Sequence, residues 1–376
     1  MTIHTPEKTW IGLSPELSAR VERTELPADL GFGTLMAPVM AIAHYADGAW
    51  QTPRLEAHEP MRIYPEVQAL HYGQAIFEGM KAYRNLGDAI DGTALLFRPH
   101  DHARRFNVSA ARLGMPAFPE EMFVYTLSRL VAHLDRLVPE EKGQSLYLRP
   151  FMFGATPHLS VTPSTSYTFS IVATPSDAFF TKPIKAWIER GYCRAGPGGT
   201  GAVKAAGNYA ASFAAAAKLG ELGFQQLLWL DARDRTKLEE FTAMNVVVRI
   251  GERLMTPALT DTILPGITRD SLVRLSASLG TPIEEVAIEI DAVLDAIRAG
   301  EDVELFGCGT GAVVAPVETL GDESGLRLDL PSQRVARLYR ETLLDIQHGL
   351  APAPDGWQVP VARTTADPAA AARTGA

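Results

Sequence analysis

The chain has 376 residues, 46% hydrophobic and 21% charged, long enough for two domains with separate cores and too apolar to be wholly disordered. A formal net charge of -9 disfavours nonspecific binding to nucleic acid or an anionic membrane, and no apolar run approaches a bilayer span. Two cysteines, Cys193 and Cys308, are too few for a disulfide framework, and the first residues lack the apolar core of a secretion signal, so a cytoplasmic enzyme is expected.

Residues 1–27 mix charge and proline with little periodicity and read as an arm with one short turn. A first domain is expected over 28–174. Ala46-Asp-Gly48 separates two strand-like segments, Ala37 to Tyr45 and Gly48 to Arg54, as a hairpin. Ala94 to Phe97 is a further strand. Pro99 opens a helix with Asp101 as a possible cap and Ala103, Phe106, Ala110 and Leu113 at helical spacing. A second helix covers about 119–137, and strands follow at 145–150 and 167–173.

Turn formers and two prolines mark 175–187 as a linker. A second domain is expected over 188–350. Residues 207–222 are Ala-rich and predict a helix. Gln226 to Leu230 and Asn245 to Ile250 predict strands joined by a charged turn, and helices begin near Thr268 and Asp291. Strands at Val303 to Phe306 and Ala312 to Val317 flank a glycine turn, and a last amphipathic helix spans 332–350. Residues 351–376 carry few large apolar groups and read as a disordered tail. Mixed helices and strands in two blocks argue an α+β or α/β fold.

Lys204 stands among Gly, Ala and Val with no carboxylate within four residues. A desolvated amine in its neutral form is a nucleophile, although the same pattern suits a surface lysine on a glycine loop. Gly196 to Gly201 has the glycine spacing of a P-loop, but Ala202 occupies the position of its lysine. Gly307-Cys-Gly-Thr-Gly311-Ala312 partly fits a dinucleotide fingerprint, yet a β-rich run follows where a helix is needed. What remains is a turn whose N–H groups can approach an anion. Pro265-Gly-Ile-Thr268 at a helix start is a second such place. With Arg105, these two suggest one phosphate held without a metal. His100 and His102 diverge on a helix with no third ligand, so no metal site is expected.

Taken together the motifs resemble the branched-chain amino-acid aminotransferases, pyridoxal-phosphate enzymes of fold type IV. The likeness runs in order through Gly31-Phe-Gly-Thr34, His71-Tyr-Gly-Gln-Ala-Ile-Phe-Glu-Gly-Met-Lys-Ala-Tyr83 and Ser145-Leu-Tyr-Leu-Arg-Pro150. It continues through Gly198-Gly-Thr-Gly201 with Lys204, Asn208 and Tyr209, then Leu228-Trp-Leu-Asp231, Leu264-Pro-Gly-Ile-Thr-Arg-Asp270 and Gly307-x-Gly-Thr310. The resemblance implies a smaller N-terminal α/β domain and a larger C-terminal domain with a pseudo-barrel core, the cofactor lying between them.

It also implies roles. Lys204 would bond to pyridoxal 5'-phosphate and carry the proton. Glu240 would face the ring nitrogen and Tyr209 the ring's phenolic oxygen. Arg105, Thr310 and the N–H groups of Ile267 and Thr268 would hold the phosphate. Phe32, Phe77, Tyr147 and Phe179 would line the substrate pocket, Arg149 would serve carboxylate recognition, and Tyr72 would be lent across a homodimer interface. The implied reaction moves an amino group from leucine, isoleucine or valine to 2-oxoglutarate. Departures from the family pattern fall at Thr242, Ala243, Gly311-Ala312 and Phe179. They leave open another amino acid, a D-amino-acid transaminase or an aminodeoxychorismate lyase.

Overall fold

The computed structural model describes residues 12–178, 180 and 182–362. Ser14 caps α1 (Pro15–Arg23), accepting from the Leu17 N–H at 3.2 Å, with Pro15 in the first turn. This nine-residue helix stands where a short turn is expected. Its cap was readable in Ser-Pro-Glu, and Val21, Leu17 and Leu13 pack on the first core.

The following elements are β1 (Val39–Ala46), β2 (Ala49–Trp50), β3 (Arg54–Ala57), α2 (Gln68–Tyr72), β4 (Ala75–Phe77), β5 (Met80–Arg84) and β6 (Ala94–Phe97). Then come α3 (Pro99–Arg112), α4 (Glu120–His133), a short 3-10 turn at Asp135–Leu137, β7 (Ser145–Gly154) and β8 (Tyr167–Ser176). The expected hairpin is present: Asp47 and Gly48 have φ of 53° and 81°, and Tyr45 pairs with Trp50. Asp101 does not cap α3; it takes Arg98 at 2.7 Å. Along β7, Leu146, Leu148 and Met152 enter the core beneath α3 and α4, so Tyr147 and Arg149 share the opposite face.

The second stretch has β9 (Ile184–Glu189), α5 (Gly207–Ala210), α6 (Phe213–Ala216), α7 (Leu219–Leu222), β10 (Gln226–Leu230), β11 (Leu238–Phe241), β12 (Asn245–Ile250) and β13 (Arg253–Pro257). It continues with α8 (Ile267–Ser276), β14 (Ile283–Val286), α9 (Ile290–Arg298), β15 (Val303–Gly309), β16 (Val313–Gly321), β17 (Arg327–Asp329) and α10 (Arg334–Gln347). Strands β11, β10, β9, β16, β15 and β12 pair in that order, and Glu240 opposite Asn245 returns β12 to β11. The ring is a closed six-stranded barrel filled by Ile188, Leu228, Phe241, Val246, Leu305 and Ala315.

Two expectations need correction here. The Ala-rich segment forms three single turns, because Asn208 bonds back to the Thr200 and Val203 carbonyls and Ser212 to the Tyr209 carbonyl. The charged turn at 231–235 is present, but it leads into a further strand, β11, before β12; its adjacent buried glutamates hide the apolar signature of a strand.

The stretch expected to be a disordered tail contains β18 (Gln358–Val361), paired antiparallel with β6. Trp357 is buried, with Arg98 4.7 Å from its ring, which gives this segment an anchor that its Ala and Pro content conceals. Residues 363–376 of that tail lie outside the described residues. The first sheet runs β18-β6-β5-β7-β8-β1-β2, with β3 on β1 and β4 on β7. Contacts divide the chain into two units, one reaching Asp177 and resuming at Asp345, the other Ala178–Leu344. Strands β8 and β9 reach into the segment expected as a linker.

Candidate active site

In the second unit, the residues singled out gather at the end of the barrel where β11 meets β12. The loop after Gly198 delivers Lys204, partly exposed, whose Nζ donates to the Tyr209 hydroxyl at 3.1 Å. Glu240 is 3% exposed. Asn245 Nδ2 donates to Glu240 Oε2 at 2.9 Å, and the Leu264 N–H reaches the same carboxylate at 3.3 Å. Burial pushes Glu240 up to about 7, against the opposing pull of Arg194 and Lys204. Glu239 is also held up by burial, and its Oε1 accepts from Thr262.

Asn245 is a residue that motif reading missed. Its Nδ2 also donates to the Leu264 carbonyl at 2.9 Å, and its Oδ1 packs so close to Gly266 that a Cβ there would sit 1.9 Å away. One side chain thus fastens Glu240 to the start of α8. Glycine at 266 is required by that approach. No side chain caps α8 there, and Ile267 and Thr268 occupy its first turn.

Asn245 pairs with Cys308, which sets the Thr310–Ala312 turn beside the same end. Arg340 of α10, another missed residue, donates to the Ala312 and Val314 carbonyls at 2.9 and 3.0 Å and fixes this turn. Ala312 sends its methyl into the second core. Gly311 is half-buried and Ala243 is exposed. The hydroxyl of Thr242 accepts from the indole N–H of fully buried Trp229 at 3.1 Å, so the added bulk serves the Trp187–Trp229 cluster. Burial pushes the Cys308 thiol up to about 12.

The first unit carries the other candidates. Arg105 of α3 meets Glu78 twice, Nε to Oε1 at 2.7 Å and Nη2 to Oε2 at 2.8 Å. His102 Nδ1 lies 2.8 Å from the same carboxylate, which is fully buried and held far below the ordinary carboxylate range by its two cationic neighbours against the desolvation penalty. Glu78 lies within the 71–83 motif, where its signal is a carboxylate inside an apolar run.

Phe32 packs edge-on to Tyr147 at 4.9 Å. The Arg149 guanidinium lies 4.7 Å from the centre of the Phe77 ring and donates to the Tyr147 hydroxyl at 3.0 Å, while its buried Nε has no hydrogen-bond partner. These four form one cluster. Tyr72 is 45% exposed and its hydroxyl is tied to the Leu159 carbonyl. Phe179 lies outside the described residues.

Residues 75–320 match the profile of the amino-transferase class IV family. The chain belongs to the class IV aminotransferases. It is 42% identical over 343 residues to branched-chain-amino-acid transaminase 1 of Bacillus subtilis (strain 168), covering 89% of this chain and 95% of the relative. A crystal structure of a branched-chain aminotransferase from Thermoproteus uzoniensis, solved with norvaline, superposes with a TM-score of 0.70 at 25% identity, covering 85% of this chain and 99% of that one. A T.th. branched-chain amino acid aminotransferase with pyridoxamine 5'-phosphate gives 0.69 at 24%, over 85% and 98%. The architecture of this aminotransferase is fold type IV.

The residues present fit a pyridine cofactor with a phosphate. Glu240 is a buried carboxylate whose desolvation exceeds the pull of the cations around it, so a protonated ring nitrogen would supply the positive partner that burial calls for. A helix start with no side-chain cap stands beside it for an anion.

Proposed function

We propose that this aminotransferase transfers the amino group of L-leucine, L-isoleucine or L-valine to 2-oxoglutarate, using pyridoxal 5'-phosphate, as a cytoplasmic homodimer. The observation that carries the reading is the convergence of Lys204, Tyr209, Glu240 and the α8 start on one end of the barrel. When bound, pyridoxal 5'-phosphate supplies the electron sink for the pair left at the substrate Cα.

Lys204 Nζ takes the proton from the donor's Cα, and the Tyr209 hydroxyl keeps that amine oriented. Glu240 keeps the ring nitrogen protonated, and Asn245 keeps Glu240 in place. The N–H groups of Ile267 and Thr268, with Thr310, would take the phosphate, and Arg105 is the cation that the family resemblance assigns to it. Phe32, Phe77 and Tyr147, which cluster around Arg149, would face the aliphatic side chain of the donor. Arg149 takes the second carboxylate of 2-oxoglutarate, a role favoured by its partnerless buried Nε. On the second unit, Ala243 and Gly311 would face the substrate, with Ala312 backing that turn from the core.

Exposed Ile63, Tyr64, Leu70, Tyr72, Leu159 and Val161 on the first unit favour burial against a second copy. Two unpaired cysteines suit a reducing compartment. Among the described residues no helix is long and apolar enough to cross a membrane. Borohydride reduction of the cofactor-loaded protein followed by peptide mapping tests the assignment. A pyridoxyl adduct on Lys204 is expected, and an adduct on any other lysine, or none, contradicts it.

A further inference from the structure

Arg194 is absent from every motif in the sequence, yet its side chain is 7% exposed at the centre of the barrel end. It follows β9 on a turn that is itself fixed. Glu189 Oε1 accepts from the Gly191 and Tyr192 N–H groups at 2.8 and 3.0 Å, and Arg235 donates to the Tyr192 carbonyl. From there Arg194 Nε lies 2.8 Å from Glu240 Oε1, a contact of charges without hydrogen-bond alignment. Its Nη2 donates to the Gly201 carbonyl at 2.9 Å and to the Thr262 carbonyl. Those two carbonyls belong to touching loops: Gly198 N–H donates to Asp261 Oδ2 at 2.6 Å, and Ala202 N–H to the Asp261 carbonyl at 3.0 Å. One planar cation therefore joins the carboxylate, the loop that delivers Lys204 and the loop behind both.

We propose that Arg194 is a positioning residue for the cofactor's ring nitrogen, acting through Glu240: its guanidinium is the counter-cation of that buried carboxylate and fastens it to the loop that carries Lys204. The inference rests on the reading of Glu240 as the ring-nitrogen partner. The titratable groups facing Glu240 are Arg194, Glu239, Lys204 and Cys308. Glu239 is acidic and Cys308 stays protonated, so they add no positive charge there. Among the described residues the other cation acting on Glu240 is Lys204, and it is committed to the reaction. Arg194 pulls against the burial that raises Glu240, so without it the carboxylate holds its proton more tightly still, and a neutral carboxyl cannot hold a pyridinium beside it.

The test compares the cofactor-loaded wild type with Arg194→Gln, Arg194→Lys, Glu240→Gln and the double variant. Three quantities are read: the affinity for pyridoxal 5'-phosphate on reconstitution, the pH dependence of the bound cofactor's visible absorbance, and the melting temperature. Removing a group that orients a liganding residue weakens binding roughly 10–100-fold, and that loss is expected for Arg194→Gln. Its absorbance titration shifts in the same direction as that of Glu240→Gln, and the double variant is no worse than Glu240→Gln alone. Arg194→Lys keeps the charge and loses the fork, so it restores most of the titration at a lower melting temperature.

If Arg194→Gln melts earlier but keeps the wild-type affinity and titration, Arg194 is a strut only and the inference fails. If Glu240→Gln itself behaves as wild type, the reading of Glu240 fails and this inference with it. Should Arg194→Gln not fold, the double variant decides. Removing the orphaned carboxylate restores a folded protein if the guanidinium serves Glu240; a double variant that stays unfolded overturns the inference.

Discussion

Glu78 and Arg105 face each other through two parallel contacts of 2.7 and 2.8 Å, with His102 on the same carboxylate. The arginine assigned to the phosphate is aimed by an acid that no solvent reaches. Glu78→Gln leaves the guanidinium with half its hold, and breaking such a buried pair costs about 3 kcal/mol or more. The folded carboxyl titrates far below the unfolded value, so this contribution is full above the ordinary carboxylate range and is lost only as pH falls beneath it. Denaturant midpoints of wild type and Glu78→Gln should lie well apart at pH 7 and converge in acid. Equal midpoints at pH 7 contradict this.

Glu240 titrates in the opposite sense. In protein freed of cofactor its value is raised from 4.5 to about 7, so the folded state binds its proton more tightly than the unfolded chain. Its contribution is full below pH 4.5, declines as pH rises through about 7 and is flat above, a loss on the order of 3 kcal/mol. Cofactor-free Glu240→Gln should lack this decline between pH 5 and pH 8. Parallel stability curves for the two proteins would refute the assignment.

Lys204→Ala should abolish transamination while changing stability by less than about 1 kcal/mol, because the side chain is only partly buried. Near-wild-type turnover in that variant would overturn the central role of this lysine.

Thr242→Val should cost about 1–3 kcal/mol, since it leaves the buried Trp229 indole N–H without its acceptor. The ratio of leucine to valine turnover should not move. A changed ratio with unchanged stability would place Thr242 at the substrate instead.

Much of the site was legible because its residues sit on turns with chemical signatures. The lysine in a glycine run, the Pro-Gly helix start and the Gly-x-Gly-Thr turn are local patterns, and β12, β15, α3, α8 and α10 followed from apolar periodicity. What escaped was non-local or disguised. Strand β11 carries two adjacent buried glutamates, so its polarity spoke against the fold that buries it. Arg194, Asn245 and Arg340 act by reaching carbonyls and carboxylates tens of residues away, which no spacing rule encodes. Strand β18 depends on β6, more than 250 positions upstream in pairings such as Gln358 with Phe97, and its own composition favours a tail. Tertiary partners supplied what local propensity lacked.

The most direct test is a panel of amino donors with 2-oxoglutarate as acceptor and purified cofactor-loaded protein. Glutamate should form with leucine, isoleucine and valine, and D-amino acids should give none. Absence of turnover with all three, alongside turnover of another amine, would contradict the branched-chain assignment.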